Sequence, residues 1–593
     1  MAKRNWGIYW DYEKNIPIIL EKNLQDRDIK PKKLLEIAQD LRPVFLEEKH
    51  LLKNLFNLED DIYYKSVWCT KQGRYIIDGT PFKESIVKRI NNLSNFDEFR
   101  IKVLDFKKSN EMVLKENQIF QDFIEENKNH MNFLLNSREI DDEGHFIGAY
   151  PFIEEVLQKY STRVPMVSFS GGKDSTVVSH LVRKTLNNQS ILHIFGDTTL
   201  ELPLTYKYVE KFKEDNPMTP FFDEKNDENN MKTYYVKKGK HAYLNEYNNF
   251  FEMCKEIGPP SRVKSWCCSI FKTGPMGTTL SNFEEEFLTF YGVRRKESAS
   301  RSKYLKVSKT PKIHGGIVAS PVIDWLDIDI WLYILSEKID FNNSYKLGFP
   351  RVGCWVCPNN SDISQFLAKI YVSKNEYHNI NFDYKEWEEF LYNFSYKVVQ
   401  EFHIKNNIFL SQEELENEVQ NYIKNNKWKA RQGGDGLEKS KNTIFQQKEC
   451  INEKNTYIFT LNRDIDEEFI TLFKPFGEIS ISSKGKSEEM FILNRKKEAL
   501  FKMTFKEKSR EVRVTLIDLK DRYLYGKIIR QFNKFNTCIY CQACNSTCSF
   551  GALKVINGKY TIDENKCVNC LNCVNKFDMG CLVASALRIK NEE

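Results

Sequence analysis

Residues 168–175 read Ser168-Phe169-Ser170-Gly171-Gly172-Lys173-Asp174-Ser175. They follow an apolar run, Val164-Pro165-Met166-Val167, that reads as the end of a buried strand. They precede Thr176-Val177-Val178-Ser179-His180-Leu181-Val182, whose apolar residues recur at helical spacing. Strand, glycine-rich turn and helix in that order make a phosphate cradle. Two glycines let the backbone approach an anion, and the free N–H groups of the first helical turn point at it. Ser170 and Ser175 add hydroxyl donors, and Ser168 closes the strand beside them. Asp174 cannot favour a phosphate directly, so it suggests a Mg²⁺ ligand. The loop is not a Walker loop, which needs Gly-x-x-x-x-Gly-Lys-Ser/Thr. A plain Ser/Gly turn would share the composition but not the strand–turn–helix setting.

Outward from the loop, Ile191-Leu192-His193-Ile194-Phe195 reads as a second strand ending at Gly196-Asp197-Thr198, with Glu201 and Pro203 beyond. Phe290-Tyr291-Gly292-Val293 reads as another strand. It runs into Arg294-Arg295-Lys296-Glu297-Ser298, and Arg301 follows. A guanidinium fork binds phosphate or sulfate oxygens bidentately, although a solvated basic loop is the plainer reading of such a charge run. Ser320-Pro321-Val322-Ile323-Asp324-Trp325 and Asp329-Ile330-Trp331 close the series.

In this order the segments resemble the PP-loop ATP pyrophosphatases, in the form found in the PAPS-reductase family. The matches are the loop, the Asp197-Thr198 pair, a Gly-x-Arg-x-x-Glu-Ser-x-x-Arg segment over Gly292–Arg301, and a Pro-apolar-Asp-Trp signature. The resemblance implies an α/β fold of the adenine nucleotide alpha-hydrolase type, a doubly wound parallel sheet with ligands at the carboxyl ends of its strands. It implies nucleotide binding by Ser168, Ser170, Gly171, Gly172, Asp174, Ser175, Asp197, Thr198 and Arg301. It casts Lys173, Asp174, Arg294 and Arg295 as catalytic.

Twelve of the 15 cysteines fall into three sets of four. Cys538, Cys541, Cys544 and Cys548 are spaced C-x2-C-x2-C-x3-C. Cys567, Cys570 and Cys573 repeat C-x2-C-x2-C, and Cys581 follows. This is the bacterial two-cluster ferredoxin spacing, in which the fourth cysteine of each run serves the other cluster. One [4Fe–4S] cluster is therefore expected on Cys538, Cys541, Cys544 and Cys581, and another on Cys567, Cys570, Cys573 and Cys548. Two departures stand: Ser549 replaces the usual proline, and the gap before Cys581 is longer. Zinc is the alternative occupant.

The third set is the adjacent pair Cys267-Cys268 with Cys354-Trp355-Val356-Cys357. It resembles the cluster-binding set of the assimilatory APS reductases, which implies a third [4Fe–4S] cluster. A four-thiolate zinc site or a redox dithiol remains open. Lys272 is expected near that cluster or the nucleotide phosphates, or else in solvent. Cys69, Cys254 and Cys450 read as small buried hydrophobes, with Cys254 the one to suspect of carrying a persulfide.

At 593 residues the chain exceeds one core. The expected division is an accessory N-terminal domain (1–115), a helical linker (116–160), the PP-loop domain (161–360), a helical subdomain (361–450), a small α+β module (451–530) and a ferredoxin-like domain (531–593). A hairpin is expected around Lys71-Gln72-Gly73. Trp10-Asp11-Tyr12-Glu13-Lys14 carries no cysteine, so no metal is expected there. Lys427–Gly436 is basic and glycine-rich, which suits a mobile loop or a polyanion contact. Met1–Trp6 is not followed by an apolar signal core, and no run of ~18 apolar residues exists. Cluster cysteines need a reducing compartment, which points to the cytoplasm. A net charge of +6 permits a nucleic-acid partner without demanding one.

Members of the PP-loop family use ATP to adenylate an acceptor oxygen and release pyrophosphate. Sulfonucleotide reductases put APS or PAPS in the same pocket, and use a mobile cysteine in a Glu-Cys-Gly-Leu-His motif. That motif is absent from this chain. The leading expectation is therefore an ATP-, Mg²⁺- and iron–sulfur-dependent sulfurtransferase. By family analogy its acceptor is a nucleic acid, as in tRNA thiolation or DNA phosphorothioation. Its expected partners are a cysteine desulfurase or other sulfur donor and an electron donor. The alternatives are a ferredoxin-fused APS/PAPS reductase and a nucleotide-binding sensor without turnover.

Overall fold

The computed structural model describes residues 6–21, 34–37, 40–198, 200–223, 250–251, 254, 258–262, 265–274, 276, 280, 285–309, 316–374, 383–430, 445–450, 453–484, 487–538, 540–541, 543–548, 550–556 and 559–586. The chain begins with two small antiparallel sheets. One contains β1 (Trp6–Asp11), β2 (Ile16–Glu21) and β3 (Leu34–Ile37) in the order β2-β1-β3. The other is a meander of β4 (Leu41–Pro43), β5 (Val67–Thr70), β6 (Tyr75–Ile77) and β7 (Thr80–Pro81). The expected hairpin is the β5–β6 pair, in register Val67↔Ile77. Gly73 supplies its left-handed turn residue at φ +75.

The helix Asn110–Asn136 is capped by the Ser109 hydroxyl, which accepts from the Met112 N–H. It begins before residue 116 and does not bridge two bodies as a linker would. Its apolar face (Phe123, Met131, Leu134, Leu135) shares one core with Trp10, Trp68 and Trp331. Asn127 ties it to β2, accepting from the Ile19 N–H at 2.7 Å.

The central sheet holds β8 (Val164–Ser168), β9 (Leu192–Phe195), β10 (Phe221–Asp223), β11 (Phe287–Tyr291), β12 (Val307–Lys309) and β13 (Ile317–Ala319). Their order is β10-β9-β8-β11-β13-β12, parallel except for β12. Neighbours in β8 face opposite sides, as a pleated strand requires. Val167 joins the core under the helix Lys173–Leu186, and Met166 joins a separate core with Ile194 and Phe287. This is the doubly wound α/β arrangement. Strand order reverses between β8 and β11, so the loops leaving these two strands flank the crevice where such sheets bind ligands.

Beyond the sheet lie the helices Asp362–Tyr371, Tyr384–Lys405 and Gln412–Lys424. The expected loop from residue 427 is, over Lys427–Ala430, a short helix instead. Trp428 is the reason: it is buried with its ring 5.6 Å from that of Trp387, so the segment is anchored. Residues 431–436 lie outside the described residues.

A second six-stranded sheet follows, of β14 (Phe445–Glu449), β15 (Thr456–Leu461), β16 (Glu478–Lys484), β17 (Ser487–Leu493), β18 (Ala499–Phe505) and β19 (Glu511–Leu516). β14 precedes the expected boundary at 451. The helix Leu524–Thr537 covers this sheet, packing Ile528, Phe532 and Phe535 against Phe459 and Phe501. A hairpin of β20 (Leu553–Ile556) and β21 (Lys559–Ile562) separates the two C-terminal cysteine runs. Among the described residues no helix is long and apolar enough to cross a membrane.

Candidate functional site

The loop after β8 is held in shape by residues from far along the chain. Gly171 sits at φ +67, and a Cβ there would stand 2.9 Å from Thr205 Cγ2. The Asn342 amide donates to the Gly171 carbonyl at 3.1 Å and to Thr205 Oγ1 at 2.9 Å. The Lys173 N–H donates to the Tyr345 hydroxyl at 3.0 Å. Ser175 Oγ accepts from the Ser170 N–H at 3.1 Å and donates to the Gly172 carbonyl at 2.9 Å. On the other wall, a Cβ at Gly292 would lie 2.6 Å from the Asp174 carbonyl carbon. Only glycine lets the end of β11 pass so close to the helix start. Gly292→Ala is expected to cost about 1–3 kcal/mol by overpacking in urea unfolding. Gly353→Ala, whose Cβ would meet nothing within 4 Å, is expected to unfold like the parent.

Behind the loop lies a buried ion network. Lys173 Nζ is 3.1 Å from Asp174 Oδ2 and 3.0 Å from Asp327 Oδ1. Arg294 reaches the same two carboxylates, Nε to Asp174 Oδ1 and Nη2 to Asp327 Oδ1 at 2.6 Å. Burial alone would raise the Asp174 carboxyl, but Arg294 and Lys173 overcome it and hold the group at about 2. Asp40 of the N-terminal region closes the network, accepting from the backbone N–H of Asp327 at 2.7 Å and of Ile328 at 3.2 Å. Burial, with Asp327 nearby, pushes Asp40 up to about 7. Arg295 pairs with Asp324 at 2.6 Å and with Glu143, while Arg301 pairs with Glu297. The arginines expected to fork onto an anion thus each hold carboxylates here. Asp327, Asp40, Tyr345 and Asn342 went unmarked in the sequence. Asp327 stands two residues before the noted Asp329, and the other three carry no motif.

The turn after β9 joins the nucleotide crevice to the internal cysteines. Tyr206 donates its hydroxyl to Asp197 Oδ1 at 2.8 Å. Thr198 Oγ1 donates to Glu201 Oε1 at 2.9 Å and lies 2.9 Å from Cys354 Sγ. Glu201 and Cys354 form an antiparallel bridge, and the Trp355 N–H donates to the Leu200 carbonyl at 3.0 Å. The hydrogen bond between Cys267 and Cys268 raises the Cys267 thiol, burial adds to it, and Cys354 and Cys357 stand close enough to raise it further. The two halves of this set, separated in sequence, meet at one place. Lys272 runs along Gly196, its Cγ 3.3 Å from where a Cβ there would be, within reach of the Glu201 carboxylate. Cys254, suspected of persulfide chemistry, is wholly buried, and burial alone pushes its thiol well up. A thiol so disfavoured as thiolate is an apolar core residue.

Residues 164–360 match the family described as the phosphoadenosine phosphosulfate reductase domain. They form a domain of that family. An uncharacterized protein of Methanocaldococcus jannaschii is 34% identical over 35% of this chain and 39% of its own length. A second from the same organism is 32% identical over 32% of this chain and 40% of its own. The chain thus spans about two fifths of the length of these two relatives. The adenosine 5'-phosphosulfate reductase of Oceanobacillus iheyensis is 28% identical over 38% of this chain and 84% of its own. The crystal structure of a phosphoadenylyl-sulfate reductase from Candida auris aligns with 37% of this chain and 99% of its own, at 18% identity and a TM-score of 0.25.

The C-terminal cysteines fall into two groups, and only the first reaches the core of residues 164–360. Burial raises the thiols of Cys538, Cys541 and Cys544. Cys581 lies close enough to add to all three. Cys541 and Cys581 share an apolar core with Trp266 and Trp355 of the reductase domain. Cys548, Cys567, Cys570 and Cys573 line one cavity further out, with Phe550 and Leu571, and Cys570 is exposed. Burial pushes Cys573 up to about 12. Among the described residues no three ligand side chains are drawn together around a single metal ion. A cubane spreads its thiolates over four irons and asks for wider spacing than one ion does. Cys581 stands beside the first run, and Cys548 lines the cavity of the second.

Proposed function

We propose that this chain reduces a sulfonucleotide of the adenosine 5'-phosphosulfate class to sulfite and AMP. The observation that carries the reading is the contact between Thr198 and Cys354. It sets the internal cysteines against the turn at the end of β9, where the crevice would present the ligand. The Asp174 pairing supports the same reading, because a carboxylate engaged by Arg294 and Lys173 is a poor Mg²⁺ ligand. In this reading the loop after β8 holds the adenylyl phosphate through the amides of its helix start. Tyr206 and Glu201 hold the turn that carries Asp197 and Thr198.

The bond that breaks is the one between sulfur and the oxygen shared with phosphate. Sulfur takes two electrons and passes from the +6 to the +4 state, and the shared oxygen leaves with AMP. The two electrons come singly from an external low-potential carrier. The residues that would hold [4Fe–4S] clusters are Cys267, Cys268, Cys354 and Cys357 beside the pocket, Cys538, Cys541, Cys544 and Cys581 behind them, and Cys548, Cys567, Cys570 and Cys573 outermost. Such clusters supply one-electron carriage when bound.

A second reading, ATP-dependent sulfur transfer to a nucleic-acid acceptor with a cysteine desulfurase as donor, is favoured by the missing Glu-Cys-Gly-Leu-His motif. One experiment separates them. Anaerobically purified, chemically reduced chain is given APS or PAPS, or else ATP and Mg²⁺ with cellular RNA or DNA. Sulfite formed without ATP, with AMP from APS or adenosine 3',5'-bisphosphate from PAPS, supports the reductase. Pyrophosphate from ATP, with no sulfite from either sulfonucleotide, would overturn it in favour of sulfur transfer.

A further inference from the structure

The segment Lys427–Ala430 lies outside the reductase domain in sequence but inside its cysteine site in space. Lys429 is 1% exposed. Its ammonium donates to the Asn360 carbonyl at 3.0 Å. Asn360 is folded onto the cysteine turn: its N–H donates to the Cys357 carbonyl at 3.0 Å, and its amide to the carbonyls of Cys354 at 3.1 Å and Trp355 at 3.0 Å. From the other side the Arg262 N–H donates to the Lys429 carbonyl at 2.8 Å, while Arg262 Nε donates to the Pro358 carbonyl at 3.1 Å. Trp428, wedged against Trp387, fixes the short helix. The cation is therefore held in place against the turn that carries two of the four thiols.

A buried ammonium is costly to keep unless an opposite charge compensates it. Among the described residues no carboxylate is hydrogen-bonded to Lys429; the nearby Asp362 accepts instead from the Asn426 amide at 3.1 Å. Asp362 acts on Lys429 only through space, and four thiolates and a cubane in the neighbouring set would add counter-charge to it. That assembly is anionic, and it becomes more so on reduction.

We propose that Lys429 is a positioning residue whose ammonium favours the reduced state of a cluster held by Cys267, Cys268, Cys354 and Cys357. The inference rests on reading that set as a cluster site. Net charge and hydrogen bonding around a cluster set its potential, so a residue from outside the reductase domain tunes the step closest to the nucleotide.

The test is a redox titration of the full-length, anaerobically reconstituted chain, followed by electron paramagnetic resonance. The internal signal is identified as the one that Cys267→Ala removes. Lys429→Gln keeps a donor for Asn360 but not the charge. It is expected to lower the internal midpoint by about 59 mV, a tenfold change in the one-electron ratio, with unchanged iron content and unmoved C-terminal signals. Lys429→Arg is expected to stay near the parent. An unmoved midpoint in Lys429→Gln overturns the proposal. If Lys429→Gln instead loses the internal iron, retention in Lys429→Arg means the charge is required, and loss in both means Lys429 is only a brace. A parent chain without any signal sensitive to Cys267→Ala would overturn the cluster reading itself, and this inference with it.

Discussion

Cys354→Ser is expected to abolish sulfite formation while leaving the nucleotide crevice intact. Cys354 does two jobs in the structure: its sulfur meets Thr198 at 2.9 Å, and its backbone bridges to Glu201. Serine keeps the backbone bridge and offers Thr198 a hydroxyl, so nucleotide affinity should change little. It removes the thiolate, and hydroxyl oxygen is a poor substitute where iron–sulfur chemistry selects soft ligands. The expected readout is a loss of about four iron per chain, with no measurable sulfite and near-parental nucleotide binding by calorimetry. Cys254→Ala is the matched control, since that thiol is wholly buried and burial alone raises it. It should lose stability but neither iron nor turnover. Sulfite formation that survives Cys354→Ser would remove the internal set from the reaction.

The loop, the parallel sheet and the cysteine sets were legible in the sequence because each is written locally. A strand of period two, a glycine turn and a helix occupy one short stretch from Val164 to Leu186. Cysteine spacing is equally local, which is why the runs can be read as ligand sets without the fold. What topology brings together was not legible. Asp40 precedes the loop by over a hundred residues, and Asn342, Tyr345 and Lys429 follow it at similar or greater distance, in segments without a motif. The arginine run was read as anion forks because its residues suit that role. Their present carboxylate partners follow from a rule with no sequence signature: a buried cation must be compensated where it sits. Trp428 overturned the loop reading over Lys427–Ala430 alone, because its buried indole anchors that turn.

Arg294→Met tests whether the ion network, rather than the loop alone, builds the pocket. Arg294 is 4% exposed and holds Asp174 and Asp327 together. Without it, two buried carboxylates share the single ammonium of Lys173. Breaking a buried pair by removing one partner costs about 3–5 kcal/mol, and that loss is expected at pH 7 in urea unfolding. The pH dependence identifies the cause. In the parent, Asp174 is held at about 2, below its usual 3.8, so its contribution is present above that usual value and fades only as pH falls through about 2. In the variant at least one carboxyl is pushed above its usual value. The folded chain then keeps a proton that the unfolded chain has released, so the variant regains more stability as pH falls from 7 towards 5 than the parent, in which Asp40, at about 7, gains by the same linkage. The stability gap should therefore narrow in acid. Nucleotide binding should weaken at every pH, because the Asp174 that begins the loop helix loses its anchor. Arg294→Lys, which keeps the charge but not the fork, should fall between the two. A gap that does not vary with pH would mean that Arg294 acts through packing, and that the carboxylates do not set the pocket's electrostatics.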